Sequence, residues 1–300
     1  MTESVAMTKV SILGAGVVGT CVGRGLLQLD HEVKFYDIST ARVDELRKVG
    51  LTATTSFENA LDNSEVSFIC VPTPTVSGAI ELTHLQSVIK ELANCLKGKV
   101  AYHLVVVKST VVPTTTEKII IPALEEHSRR KVGEQLGICV NPEFMTEIHE
   151  SWTSDRSFAR GFTDEPVIVV GESDEKSGTK LAQLYELLGR PIIRTNMVTA
   201  EMIKYAFNCA LATRISYWNE IYYVCGLLGI NSELVARVAG MDPRIGTYGT
   251  IHGKAFGGKC LPKDLRAFLK FVSDLGYDAR LLKAVEEINE RIGNERGVRE

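Results

Sequence analysis

Six residues, Gly14-Ala15-Gly16-Val17-Val18-Gly19, constrain this chain more than any others because of what flanks them. An apolar strand pattern at 9–13 precedes them, a helical pattern at 20–27 follows, and a second strand pattern at 32–36 ends in Asp37. In that order the first glycine permits a tight turn, the second lets a phosphate approach the backbone, and the third lets helix pack against strand. The helix N-terminus then attracts the anion. A bare glycine triplet is weak evidence. A carboxylate about 20 residues on makes it strong, because it accepts hydrogen bonds from ribose hydroxyls. Asp37 would repel a 2′-phosphate and no arginine follows it directly, so the pattern predicts NAD rather than NADP.

The same alternation continues. Apolar runs at 66–71 and 104–107 end in Pro72-Thr73-Pro74 and Lys108-Ser109-Thr110, with helical patterns at 82–96 and 114–127 between and after them. This predicts a doubly wound parallel sheet, a Rossmann-like α/β domain of residues 1–196, whose ligands lie at the carboxyl ends of its strands. Pro72, Thr73 and Ser109 would then border the cofactor, and Thr110 would touch its nicotinamide end or the reacting carbon; Ser109 and Thr110 could equally cap the next turn. After a strand at 136–140 comes Asn141-Pro142-Glu143-Phe144-Met145-Thr146-Glu147, whose two carboxylates, four residues apart, suit holding a water or accepting a proton. Glu147 reads as well as a solvated loop charge. Strands around 166–171 and 191–195 bracket a helix at 177–188 and complete the domain.

From 199 to about 228 a helical pattern runs without proline, the spine of an all-helical domain of residues 197–300. On it Glu201, Lys204, Asn208, Ala212, Ile215 and Asn219 share one face, and the opposite faces are largely apolar. A lysine and an asparagine in such a helix suit a developing oxyanion, Lys204 by charge and Asn208 as a neutral donor; the alternative is a solvent-facing stripe. The turn-rich loop 242–250 could wrap a phosphorylated or sugar-like ligand, with Arg244 donating to its oxygens. It leads into Gly257-Gly258-Lys259-Cys260-Leu261-Pro262-Lys263-Asp264. There Cys260 stands just before a helix of about 262–275, where the helix dipole with Lys259 and Lys263 favours the thiolate. Asp264 falls in the first turn. A cysteine in an ordinary loop-to-helix joint is the competing reading. A last helix is predicted at 279–291.

Composition narrows the partners. A net charge of -3 argues against nucleic acid, and no apolar run approaches the roughly 18 residues of a membrane helix. Seven cysteines without CxxC spacing fit reduced thiols in the cytoplasm rather than disulfides or a metal site.

Asp37 after the glycines, Pro72-Thr73-Pro74, Lys108-Ser109-Thr110, Asn141-Pro142-Glu143-Phe144, the helix carrying Lys204 and Asn208, and the Gly257 to Asp264 stretch follow the order seen in the UDP-glucose/GDP-mannose dehydrogenase family, which the chain resembles over nearly its whole length. The resemblance implies an NAD-dependent four-electron oxidation of a nucleotide sugar's primary alcohol to a carboxylate by a homodimer. It assigns Cys260 as the nucleophile that holds the aldehyde, Lys204 and Asn208 as oxyanion donors, and Asp264, Thr110 and Glu143 as organisers of water, with Glu147 near the thiol. It also implies that Phe144, Arg244, Tyr248, Gly249, Phe256 and Gly257 line the substrate, Arg244 reaching the neighbouring subunit's site. Two departures are expected to matter: the family's usual second nucleotide-binding-like domain would begin where this sequence ends, in a cut piece or a natural short form, and the family's Asn-Pro-Asp-Arg-like run before Val167 is missing. Two other activities stay open, a two-electron β-hydroxyacid-type dehydrogenase that leaves Cys260 idle, and an NAD-binding dimerising module without turnover.

Overall fold

The computed structural model describes residues 7–146, 153 and 156–295. These divide into two compact units, one of 7–74, 81–145 and 160–204, the other of 75–80, 146–159 and 205–295. The sequence patterns put a boundary at 196/197; the units part at 204/205, inside one helix.

In chain order the strands and helices are β1 (Lys9–Leu13), α1 (Val17–Gln28), β2 (Glu32–Tyr36), α2 (Thr40–Lys48), β3 (Ala53–Thr54), α3 (Phe57–Leu61) and β4 (Val66–Ile69). A hairpin, β5 (Thr75–Val76) and β6 (Ala79–Ile80), is followed by α4 (Thr83–Leu96), β7 (His103–Val107), a π-helical turn Thr116–Ile120, α5 (Ile121–Ser128) and β8 (Leu136–Val140). Then come β9 (Ile168–Glu172), α6 (Glu175–Tyr185), β10 (Ile192–Asn196), α7 (Met197–Leu228), α8 (Ser232–Ala239), α9 (Leu261–Asp274) and α10 (Arg280–Glu295).

The first unit is built on an eight-stranded sheet of order β10-β9-β8-β7-β4-β1-β2-β3. It is mostly parallel, as the strand and helix alternation predicts. The central strand β7, His-Leu-Val-Val-Val, is buried on both faces, which is why it reads as a continuous apolar run. Alternate residues feed two cores: Leu13, Ile69, Val105 and Val107 meet α4 and α5 on one side, while Ile12, Phe68, Leu104 and Val106 meet α1 and α6 on the other. On α4 the buried Leu85, Val88, Ile89, Leu92 and Leu96 recur at helical spacing.

Two features of this sheet place the ligand side. Strand order reverses at β1, which lies between β4 and β2, so a crevice opens beyond the carboxyl ends of β1 and β4. The register Leu13↔Tyr36 and Leu13↔Ile69 brings those strand ends out level. The pairing of β8 with β9 is antiparallel, against the expectation of a wholly parallel sheet. A parallel partner needs a crossover of a dozen or more residues, usually helical; between Val140 and Ile168 the described residues form only two short 3₁₀ turns. The chain therefore returns along the carboxyl edge, keeping Asn141 to Met145 and Glu165 there.

The second unit is helical apart from the β5-β6 hairpin. Tyr205 on α7 stacks on Phe268 of α9 at 5.3 Å between ring centroids, and Ser216 donates to the Val285 carbonyl of α10 at 2.8 Å. The loop before α9 is held by two asparagines. Asn219 accepts from Gly253 N at 2.8 Å and donates to Lys254 O at 2.9 Å, while Asn289 accepts from Phe256 N at 2.7 Å and donates to Phe256 O at 3.0 Å. Among the described residues no helix is long and apolar enough to cross a membrane.

Candidate active site

The glycine turn carries out three separate tasks. Gly14 has φ +99°, a left-handed conformation that L side chains avoid, and a Cβ there would stand 2.7 Å from the Cys70 carbonyl. A Cβ on Gly19 would lie 2.0 Å from Gly14 O, so only glycine lets α1 pack this closely. Around Gly16, by contrast, a Cβ would meet nothing within 4 Å, and the N-terminus of α1 has no side-chain cap. Open space over unpaired backbone donors at a helix start fits a pyrophosphate. Val17 is exposed and Val18 half-buried beside it.

Asp37 holds that turn as well as facing solvent. Its Oδ2 accepts from Ala15 N and its Oδ1 from Ser39 N, both at 2.9 Å. The neighbouring loops are laced together: Thr73 donates to the Thr110 carbonyl at 2.7 Å, and Ser109 to the Val71 carbonyl at 2.7 Å. Pro72 adjoins them.

Beyond the sheet edge lies a buried group of alternating charges in the first unit. Lys204 Nζ donates to both Oε1 and the carbonyl of Glu143 at 2.7 Å, and lies 5.9 Å from the Phe144 ring centroid. Glu143 Oε2 accepts from Met145 N at 2.8 Å. Burial pushes the Glu143 carboxyl up, but the Lys204 ammonium against it, helped by Lys108, holds it below its ordinary value. Lys108 is 2% exposed; its Nζ donates to Asn141 Oδ1 at 2.9 Å and stands 3.9 Å from Glu165 Oε1. Glu165, 1% exposed, accepts from Phe144 N at 3.2 Å, and Tyr185 donates to Asn141 Oδ1 at 2.7 Å.

In the second unit Cys260 is the N-cap of α9, is exposed and carries no disulfide. The helix starts at Leu261, one residue earlier than the sequence suggests, with Pro262 next. Asp264 N donates back to the Cys260 carbonyl at 2.9 Å. The Asp264 side chain is buried and doubly gripped, by Asn208 Nδ2 at 2.6 Å and by Lys263 Nζ. Buried Cys209, next to Asn208 in the chain, is pushed up to about 12 by burial and by the Asp264 charge.

The polar stripe predicted on α7 is buried in every member, Glu201, Lys204, Asn208, Ala212, Ile215 and Asn219, so the reading of a solvent-facing stripe fails. Lys204 and Asn208 stand one turn apart on it. Glu201 caps the segment after β7, accepting from Thr114 N at 2.6 Å and Thr116 N at 2.9 Å.

The remaining predicted residues are dispersed. Gly249 is buried, with a Cβ position 3.1 Å from the Arg214 backbone, and Tyr248 lies edge-on to Phe158 at 5.4 Å. Phe256 is buried with its backbone tied to Asn289, Gly257 is half-buried, and the Arg244 side chain is 87% exposed, paired with Asp242 at 2.6 Å. Glu147 lies outside the described residues.

Arg42 is absent from the sequence reading. From α2 it donates to Ala15 O at 2.7 Å, Thr20 Oγ1 at 2.9 Å and Glu45 Oε2 at 2.8 Å, bracing the glycine turn at the same residue whose N–H bonds Asp37. Only its place five residues after Asp37, where a long side chain reaches back over the turn, could have flagged it. Glu165 gave no signal, standing in a patternless loop.

Comparison with known proteins finds a family and relatives that match most of the chain. The profile described as UDP-glucose/GDP-mannose dehydrogenase family, NAD binding domain, matches residues 46–189, and that described as the central domain of the same family matches 198–291. A GDP-mannose 6-dehydrogenase of Pseudomonas savastanoi pv. phaseolicola is 35% identical over 94% of this chain and 68% of its own length. A UDP-glucose 6-dehydrogenase of Haloferax volcanii is 34% identical over 94% and 69%. Among solved structures, a UDP-glucose dehydrogenase from Pyrobaculum islandicum superposes with a TM-score of 0.87 at 30% identity, covering 97% of this chain and 70% of that one.

Proposed function

The chain belongs to the UDP-glucose/GDP-mannose dehydrogenase family, and from that membership we propose that it takes a UDP- or GDP-linked hexose through two successive oxidations at one carbon by way of a covalent adduct on Cys260. It is an NAD-dependent nucleotide-sugar dehydrogenase. Gly16 and the start of α1 would hold NAD, which when bound would supply the hydride acceptor. Asp37 and Arg42 hold the glycine turn in shape, with Asp37 facing the ribose hydroxyls, while Val17, Val18, Pro72, Thr73 and Ser109 border the cofactor.

The chemistry of this chain's own groups follows. The primary alcohol loses a hydride and a proton to give an aldehyde. The Cys260 thiolate adds to its carbonyl carbon, and the resulting alkoxide, steadied by Lys204 and Asn208, is protonated to a thiohemiacetal. Loss of a second hydride and the hydroxyl proton gives a thioester; water adds, the thiolate leaves, and the carboxylate is released. Family membership gives Asp264, Thr110, Glu143 and Glu147 the task of ordering the water and carrying the protons. The same membership assigns Phe144, Tyr248, Gly249, Phe256 and Gly257 to binding the substrate, and the exposed Arg244 to the partner subunit's substrate.

The observation that carries this reading is Asp264: a buried carboxylate gripped by Asn208 and Lys263, one turn after an exposed cysteine at a helix start. Such an arrangement is costly to bury and gains its worth in use. A homodimer is the second part of the proposal. Away from its buried polar stripe α7 exposes Met202, Phe207, Tyr217, Val224, Leu227 and Leu228, with Leu227 88% exposed, an apolar surface suited to a second copy.

The test is the NADH yield on UDP-glucose and GDP-mannose. Two NADH per carboxylate are expected, with none of the acid made by Cys260→Ser. A yield of one that Cys260→Ser does not alter would overturn the covalent route and favour a two-electron dehydrogenase.

A further inference from the structure

The mechanism above uses neither Lys108 nor Glu165, yet both are fully buried, and together they hold one short segment on either side of Glu143. Lys108 Nζ donates to Asn141 Oδ1 at 2.9 Å and to Pro142 O at 3.4 Å; Glu165 Oε2 accepts from Phe144 N at 3.2 Å; the two side chains stand 3.9 Å apart. Glu143 is the residue between those attachments. We propose that Lys108 and Glu165 are a positioning pair that clamps the Asn141 to Phe144 turn from both sides and so fixes the direction in which the Glu143 carboxylate, with Lys204, is presented.

The physical argument is one of balance. A lysine and a glutamate buried alone would each cost several kcal/mol, and a buried pair is retained where its geometry specifies something. Here the lysine leads directly into Ser109 and Thr110, and the glutamate lies on the antiparallel return between β8 and β9. The pair thus joins two strand-end loops through side chains rather than through the sheet. The charged and titratable groups facing Glu165 are Lys108 at the end of β7, Glu143 on the turn, Lys204 on α7, Tyr185 on α6 and Cys21 on α1, with Cys70 beside Tyr185. Burial pushes the Glu165 carboxyl up, opposed by Lys108 and reinforced by the Glu143 charge, so the two carboxylates sense one another. Glu165 Oε1 has no hydrogen-bond partner among the described residues, which leaves the Lys108 charge as its compensation.

The inference rests on Glu143 as a site residue, and its test separates the two ideas. Amide hydrogen exchange at Phe144 and Met145 is measured in the wild-type chain, Glu165→Gln, Glu165→Leu and Lys108→Met, beside the pH dependence of kcat on a UDP- or GDP-linked sugar. Glutamine keeps an acceptor for Phe144 N and leucine does not. Glu165→Leu and Lys108→Met should speed exchange at both amides about tenfold, because losing the clamp also frees Glu143 from Met145 N, whereas Glu165→Gln should keep the wild-type protection. In Glu165→Gln the acid limb of kcat should move to lower pH, since a neighbouring negative charge that resists Glu143 ionisation is gone; KM for NAD should stay within twofold. Met145 protection unchanged in both Glu165→Leu and Lys108→Met, or an acid limb that stays put in Glu165→Gln, overturns the proposal. Should Glu165→Leu fail to fold, Lys108→Met and Glu165→Gln decide it. If the wild-type chain oxidises no nucleotide sugar, the functional reading fails while the exchange pattern still decides the clamp.

Discussion

Asn208 on α7 donates to Asp264 on α9 at 2.6 Å, and both side chains are buried. A hydrogen bond to a charged group contributes about 1.5–3 kcal/mol, and its loss leaves a carboxylate short of a partner. Asn208→Ala should therefore lower the unfolding free energy by roughly 2 kcal/mol, read from the urea midpoint at constant m. Asn208→Asp should cost more at neutral pH, because it sets a second carboxylate against the first. Equal stability of both variants with wild type would show that the pair is not load-sharing and that Lys263 alone satisfies Asp264.

Gly16 and Gly19 should separate cofactor binding from folding. A methyl on Gly16 meets nothing in the protein, so Gly16→Ala should unfold with Tm within about 2 °C of wild type. It would stand where a pyrophosphate must approach, and NAD affinity by calorimetry should fall at least about tenfold. At Gly19 the methyl would press on the Gly14 carbonyl, and Gly19→Ala should destabilise the apoprotein by about 1–3 kcal/mol. The reverse pattern, a destabilised Gly16→Ala that still binds NAD, would remove the pyrophosphate from this turn.

Much of the candidate site's layout is legible in the sequence, and the residues that are not legible share a cause. The glycine turn, Asp37 and the Lys204/Asn208 stripe declare themselves because each is a local pattern: a spacing of glycines, a strand end, a helical period. The helical period puts all six stripe residues on one face, and the fold buries that face. Arg42, Lys108 and Glu165 are placed by reach. Arg42 acts on a carbonyl 27 residues away and Lys108 on a side chain 33 away, and no periodicity records such distances. The antiparallel β9 is hidden for a related reason, since its hydrophobic run fits either direction and only the pairing of Cys139 and Val140 with Glu172 and Gly171 decides it. The β5-β6 hairpin, two residues per strand, is too short to leave a pattern.

The apolar residues that α7 leaves uncovered give a prediction about association. Val224 and Leu227 lie three residues apart on α7, both exposed, and burying such side chains contributes about 1.5–3 kcal/mol each. Light scattering of the wild-type chain at micromolar concentration should give twice the monomer mass. Val224→Glu/Leu227→Glu should give monomer with unchanged far-ultraviolet circular dichroism, because neither residue belongs to either core. A wild-type chain that stays monomeric at 100 µM, on the order of the weak-association range, would reassign this surface.

At the opposite edge of the sheet from the cofactor, His103 should act as an acid-sensitive weak point. Its Nε2 lies 2.8 Å from Ser67 Oγ, and its Nδ1 lies 3.2 Å from Lys99 Nζ, which also donates to the Ser64 carbonyl. Nδ1 lies 3.2 Å from the Ser64 carbonyl as well, a contact that favours a ring proton, but burial and the Lys99 ammonium outweigh it and disfavour the cation. Burial, then the Lys99 charge, push its pKa down to about 3 from an ordinary 6.5. The unfolded chain therefore takes up a proton below about pH 6.5 that the folded chain refuses until about pH 3, and stability must fall as pH falls through that window. The slope from this one group is about 1.4 kcal/mol per pH unit, on the order of 5 kcal/mol in all. His103→Gln removes the titration while keeping an amide that can reach Ser67. Subtracting its urea-derived stability from that of wild type at each pH cancels the carboxylates, and the difference should shrink steadily from pH 7 to pH 5. A difference that stays flat across those two units would mean that His103 takes its proton inside the fold, and that Lys99 gives way to let it.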